Sequence, residues 1–165
     1  MRYIKVIDLT PSKVGPFCVP SLNDVRGESN INMITCGGQA SIPILHVISK
    51  FSMNLSYIEV VSQISSDSAG MSTRINIDNY VETTENAIKQ FTVTPAAKVI
   101  LNLNPAIPQV DMQTTMFIKA KNFDYESISK GVYDKIKYNK DTDIYEDKVK
   151  EVNNLHNKYN WIKIK

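Results

Sequence analysis

Short runs rich in β-branched residues alternate along the chain with longer stretches in which apolar positions recur every three or four residues. Ile58-Glu59-Val60-Val61 and Val99-Ile100-Leu101 are of the first kind, bounded by turn residues as buried strands are. The pattern predicts strands over 4–8, 31–36, 57–65, 98–103 and 115–120. It predicts helices over 39–52, 77–91, 125–138 and 144–159. Over 77–91, Asn76 stands as the cap, Asp78 and Glu82 come early and Lys89 late, an order that suits the helix dipole. Ile77, Tyr80, Val81, Ala87, Ile88 and Phe91 favour one face of that helix. Over 144–159 the stripe is looser, running through Ile144, Val149, Val152, Leu155 and Tyr159. Strands and helices that alternate in this way build an α/β (α+β) domain, a mixed sheet with helices covering at least one face.

Composition narrows the class without changing it. The 165 residues, 42% apolar and 22% charged, hold one ordinary core and exclude a disordered, collagenous or disulfide-built chain. A net charge of +2 gives no electrostatic case for nucleic acid. Apolar runs are short and broken, so neither a membrane span nor a membrane partner is expected, and the N-terminus turns acidic at Asp8 before a signal-like region develops. Cys18 and Cys36 lie in unlike settings and read as free thiols of a cytoplasmic protein. Charge concentrates late: residues 119–165 carry 11 basic and 8 acidic groups, against 8 and 9 in residues 1–118. The strand at Ile4-Lys5-Val6-Ile7-Asp8 runs straight into the turn at Thr10-Pro11, as though the sequence opened in mid-fold.

Candidate chemistry centres on Ile31-Asn32-Met33-Ile34-Thr35-Cys36-Gly37-Gly38-Gln39-Ala40-Ser41-Ile42-Pro43. A strand ending at Cys36, a tight Gly-Gly turn and a helix with Pro43 in or near its first turn would set a thiol at a helix N-terminus. There, N–H groups and the dipole stabilise a thiolate, and the same groups can hold an oxyanion formed on an attacked carbonyl. The alternative is a small core cysteine followed by a flexible turn. The loop Ser65 to Asn76, with hydroxyls, Gly70 and Arg74 ahead of a helix, could present donors to a phosphate or simply cap that helix. It lacks the Gly-Lys-Ser/Thr ending of a P-loop. His46 stands ten residues past Cys36, about 15 Å along a helix, and reads as a core or surface histidine. His156 reads as solvated, Cys18 as packing, and no metal site is expected.

A set of segments in order, Asp8-Leu9-Thr10-Pro11, Gly15-Pro16-Phe17-Cys18-Val19-Pro20, Asn32 to Ala40, Ser68-Ala69-Gly70 with Thr73-Arg74 and Asn76, Glu82-Thr83-Thr84 and Asn104-Pro105-Ala106, resembles the acylating acetaldehyde dehydrogenases. The resemblance covers residues 4 to about 118. It implies that a short aldehyde, NAD and coenzyme A become acyl-CoA and NADH through a thioester, in the catabolism of aromatic compounds. It implies Cys36 as the nucleophile and Asn76 near the reacting carbonyl. It places Ser68, Ala69, Gly70, Met71, Ser72, Thr73, Arg74, Ile75 and Asn76 on the nucleotide-binding segment. The implied fold is the catalytic and dimerisation half of a glyceraldehyde-3-phosphate-dehydrogenase-like enzyme. Residues 1–28 would be the last strand and linker of a dinucleotide-binding domain, and residues 29–165 the catalytic domain. No Gly-x-Gly-x-x-Gly follows a strand, so the Rossmann domain is expected to be missing, with the chain a fragment or one part of a split enzyme. Thr114 stands where the family has a catalytic aspartate, Ile107 where it has a glutamate, and Met71-Ser72 where it has Pro-Gly. Those departures leave a second expectation, a non-catalytic interaction module. Implied partners are a second copy of the chain, with an exposed apolar patch to match, and a 4-hydroxy-2-oxovalerate-type aldolase.

Overall fold

A computed structural model describes residues 4–11 and 13–136. Its centre is a three-stranded sheet in which β4 (Tyr57–Ser65) lies between β5 (Ala97–Asn104), parallel to it, and β6 (Gln113–Lys119), antiparallel. A parallel pair needs a crossover, and α3 (Ile77–Thr92) supplies it between β4 and β5. Two parallel strands, β1 (Val6–Asp8) and β2 (Asn30–Asn32), precede α1 (Cys36–Lys50). After β4 come a 3₁₀ turn, Ser66–Ser68, and the short α2 (Met71–Ile75). The two-residue strands β3 (Ser52–Met53) and β7 (Asn122–Phe123) pair antiparallel, and α4 (Tyr125–Ile136) packs on α1.

Alternation along β4 decides which face is the core. Ile58, Val60, Ser62 and Ile64 are buried, while Tyr57, Glu59, Val61 and Gln63 are only half-buried. The first set points at α1 and α3, where Ile58, Val60, Val99 and Met116 meet Ile42, Leu45, Tyr80, Ala87 and Ile88. Among the described residues no helix covers the second face with comparable burial, and Phe117, directly opposite Glu59, keeps 40% of its surface exposed.

The architecture is the mixed α/β arrangement that the sequence pattern predicts, and β4 has the expected bounds. The strand predicted over 31–36 is a correction: it ends at Asn32. The Asn32 side-chain oxygen accepts the N–H of Ile34 at 2.7 Å, and Ile34 itself takes φ 65°, so the strand cannot continue. The turn therefore falls on Ile34, and the two glycines are helical residues of α1. Pro43 accordingly lies in the second turn of α1, not its first. The helix predicted over 125–138 is seen over Tyr125–Ile136, and the one predicted over 144–159 lies outside the described residues.

Candidate active site

Thr35 sets the start of α1. Its backbone is extended, and its hydroxyl oxygen accepts the Gly38 N–H at 3.0 Å, the usual N-cap geometry. Thr84 donates to the Tyr80 carbonyl at 2.7 Å, so in the 2.7 Å contact between Thr35 and Thr84 hydroxyls the proton comes from Thr35. That contact fastens the first turn of α1 to the middle of α3. Gln39 fastens it on the other side, donating to the carbonyls of Cys18 at 2.6 Å and Met33 at 2.8 Å.

Cys36 is the first residue of α1 and is exposed, whereas Cys18 is buried, and burial, followed by the charge of Asp24, pushes the Cys18 thiol up. The two thiols therefore differ in access, Cys36 lying at the surface and Cys18 inside. The Cys36 Sγ lies 3.8 Å from the hydroxyl of Tyr80, which reaches it from α3. The same hydroxyl accepts the Gly37 N–H at 3.1 Å. Tyr80 is 2% exposed, and its phenol is pushed up to about 12 by burial, then by the nearby Cys36. Gly37 is required by this approach: a Cβ there would overlap the Tyr80 hydroxyl and stand 2.8 Å from the Ser62 hydroxyl. At Gly38 a Cβ would stand 2.7 Å from the Ile34 side chain.

The first-turn amides expected to hold an oxyanion are thus already engaged: Gly37 N–H by Tyr80 and Gly38 N–H by Thr35. Periodicity in the sequence puts Tyr80 on the apolar face of its helix. A buried phenol nonetheless needs a partner for its polar tip, and its position four residues after Asn76 puts both on one side of α3. Asn76 is the half-buried residue that opens α3, and its carbonyl accepts the Tyr80 N–H at 3.0 Å. Thr114 sits opposite Ser62 on β6, on the helix-covered face of the sheet. Ser62 is fully buried, and its hydroxyl has no hydrogen-bond partner among the described residues. Asp111 is exposed in the loop before β6.

The loop after β4 is built differently from a phosphate cradle. Arg74 turns back onto it, donating from Nε to the Ala69 carbonyl at 3.0 Å and from Nη2 to the Ser66 carbonyl and hydroxyl at 2.5 and 3.1 Å. Ala69 is buried and Ser68 exposed. What the loop shows outward is Gly70, with open space where a Cβ would be, and the side chains of Met71 and Ile75, both more than 70% exposed. Gln109 donates to Asp67 at 3.0 Å, joining this loop to the one after β5. The two loops leave the C-terminal ends of parallel strands, where α/β sheets carry their ligands. His46 lies apart from Cys36: its Nδ1 is 2.7 Å from the Phe91 carbonyl, to which it donates.

Comparison with known proteins finds one family profile, described as prokaryotic acetaldehyde dehydrogenase, dimerisation, matching residues 36–142. A protein of Pectobacterium atrosepticum named acetaldehyde dehydrogenase is 55% identical over 118 residues, 69% of this chain and 40% of that protein. A namesake from Burkholderia pseudomallei is 48% identical over 133 residues, 79% of this chain and 45% of that protein. Another from Spirochaeta aurantia is 47% identical over 129 residues, 77% of this chain and 43% of its own length. The chain thus spans less than half the length of these curated relatives.

Proposed function

The chain belongs to the prokaryotic acetaldehyde dehydrogenase dimerisation family, and from that membership we propose that it carries the nucleophile of a CoA-acylating aldehyde oxidation. The observation that carries this reading is Cys36: an exposed thiol on the first residue of a fifteen-residue helix, beside a buried hydroxyl 3.8 Å from its sulfur. In the proposed reaction the Cys36 thiolate adds to the carbonyl carbon of a short aldehyde, giving a hemithioacetal. Loss of a hydride from that carbon and of the hydroxyl proton would leave a thioester on Cys36, with NAD, when bound, supplying the hydride-acceptor chemistry. The thiolate of coenzyme A then attacks the thioester carbonyl, and the Cys36 sulfur departs as thiolate.

Asn76, one turn before Tyr80 on α3, is placed in this reading beside the reacting carbonyl as a hydrogen-bond donor. Residues Ser68 to Asn76 fit a flat apolar ring better than a phosphate, since Met71 and Ile75 face outward while Arg74 is tied to its own loop. Residues 29–165 would form the catalytic and dimerisation domain of a glyceraldehyde-3-phosphate-dehydrogenase-like architecture, and residues 1–28 would lead in from a dinucleotide-binding domain. Thr114 cannot act as a carboxylate base, so proton removal would fall to water or another group, and slow turnover follows.

The acyl-transfer half of the scheme needs only this chain and a thioester. Incubated with acetyl-CoA, the protein is expected to become acetylated on Cys36, releasing coenzyme A, with Cys18 unmodified and Cys36→Ser inert by peptide mass mapping. Adding NAD, acetaldehyde and coenzyme A together with a dinucleotide-binding domain supplied in trans should give NADH. No acetyl-Cys36 and no NADH would end the enzymatic reading. A second reading, self-association, is favoured by the half-bare face of the β5-β4-β6 sheet, and it is compatible with the first.

A further inference from the structure

Tyr80 has one hydroxyl proton, and the side chains of Thr35 and Cys36 both lie within reach of it. Its oxygen already accepts the Gly37 N–H at 3.1 Å, so the phenol proton is not needed there. Its other polar neighbours are the Thr35 hydroxyl and Sγ of Cys36 at 3.8 Å, and of these only the sulfur gains a negative charge, so ionisation of Cys36 draws the phenol proton to it. We infer that Tyr80 is a catalytic hydrogen-bond donor to the Cys36 thiolate, passing the field of the α1 N-terminus to the sulfur through the Gly37 N–H. The inference rests on Cys36 as the reacting thiol and adds a residue to that site.

Three features of the arrangement support this. A donor that itself accepts from a helix-start amide is polarised by it, and chains of such bonds strengthen one another in a dry interior. Tyr80 is 2% exposed, so water does not compete at its hydroxyl, whereas the Cys36 end of the chain stays open to a reactant. Its phenol, held up at about 12 with Cys36 as the titratable group acting on it, stays protonated throughout the range in which a thiol ionises. Tyr80 is therefore a donor and not a base. For the chemistry this serves twice. The bond favours thiolate over thiol before attack, and it steadies the same sulfur when the incoming thiolate expels it, since a better-stabilised thiolate leaves faster.

The test is the pH profile of Cys36 alkylation by iodoacetamide in the full chain, followed by peptide mapping, for the native protein and Tyr80→Phe. Losing a hydrogen bond to a charged sulfur lowers the thiolate fraction but makes the remaining thiolate more nucleophilic. Tyr80→Phe is therefore expected to react about three- to ten-fold more slowly at neutral pH and about three-fold faster once the thiol is fully ionised. Profiles that do not cross, whether parallel or coincident, would overturn the proposal, because a purely structural role changes access equally at every pH. A second measurement needs no change at Tyr80. Ionising Cys36 in the native protein should perturb the tyrosine ultraviolet difference spectrum with the thiolate's own midpoint, and the perturbation should vanish in Cys36→Ser. Its persistence in Cys36→Ser would count against the contact. Crossing profiles without acetyl transfer would keep the Tyr80 assignment and remove the enzymatic one, so the two can fail separately.

Discussion

Tyr80 stakes a measurable part of the protein's stability on its proton. Folded, the phenol keeps that proton to about 12, whereas its ordinary value is 10.0. Between those values the unfolded chain binds fewer protons than the folded one, so stability falls as pH rises. The contribution is whole below pH 10.0 and gone by about pH 12, and its ceiling is about 3 kcal/mol. Denaturant titrations at neutral pH and across that alkaline window should show the native protein losing more stability than Tyr80→Phe. Equal losses would mean that the buried phenol is not held in its neutral form. Periodicity in the sequence places Tyr80 inside, and that is all it can do, because a period of 3.6 sorts side chains by face and says nothing of where a hydroxyl at the tip arrives. Cys36 was legible for the opposite reason. Its place at a helix start follows from consecutive residues, although the sequence reading puts the turn on the two glycines, where the structure caps the helix at Thr35 and makes Cys36 its first residue.

At the scale of elements, the same backbone conformation has opposite consequences in two places. Val93 ends α3 with φ 56°, and Ile34 turns the chain into α1 with φ 65°, both left-handed conformations that branched side chains resist. Val93 is 87% exposed, so its side chain contributes little packing to offset the strain. Val93→Gly should raise stability by about 0.5–1 kcal/mol, the relief being partly cancelled by the freedom glycine gains when unfolded. Ile34 is fully buried against Gly38 and the core, and Ile34→Gly removes about 2–3 kcal/mol of burial, more than the relief returns. Thermal melts of the two variants should therefore move in opposite directions, and a destabilised Val93→Gly would show that Val93 makes contacts its exposure does not suggest. Ile34 also explains which elements the sequence concealed. β4 is apolar or β-branched at most positions and was legible from end to end. The strand before α1 was overextended because Ile34 is a good strand former whose role here is a bend, enforced by the neighbouring Asn32 side chain.

For the whole molecule the unsettled surface is the sheet face turned away from α1 and α3. Tyr57, Glu59 and Val61 on β4, Lys98 and Ile100 on β5, and Phe117 and Lys119 on β6 share it by register and alternation. It combines apolar centres with charges of both signs, and a shallow depression opens at one end between Tyr57, Glu59, Phe117 and Lys119. Tyr57 and Glu59 are joined by a 2.6 Å hydrogen bond, and that bond raises the Tyr57 phenol. A second copy laid sheet to sheet would cover Val61, Ile100 and Phe117 at once, burial that the described residues of one chain do not complete. Phe117→Lys isolates this effect. In one chain the new ammonium lies directly opposite Glu59, a cross-strand pair that the fold tolerates. Across a sheet-to-sheet interface it would bury two lysines near a two-fold axis, which costs several kcal/mol and splits the dimer. Sedimentation should give a dimer for the native chain and a monomer for Phe117→Lys. The melting temperature should depend on concentration only for the native chain, because only there does unfolding also dissociate the protein. A Phe117→Lys protein that still sediments as a dimer would move the contact to another surface. The exposed apolar side chains of Ile4, Ile7 and Leu9 would then be the next to substitute, since among the described residues β1 pairs only with β2 and leaves them uncovered.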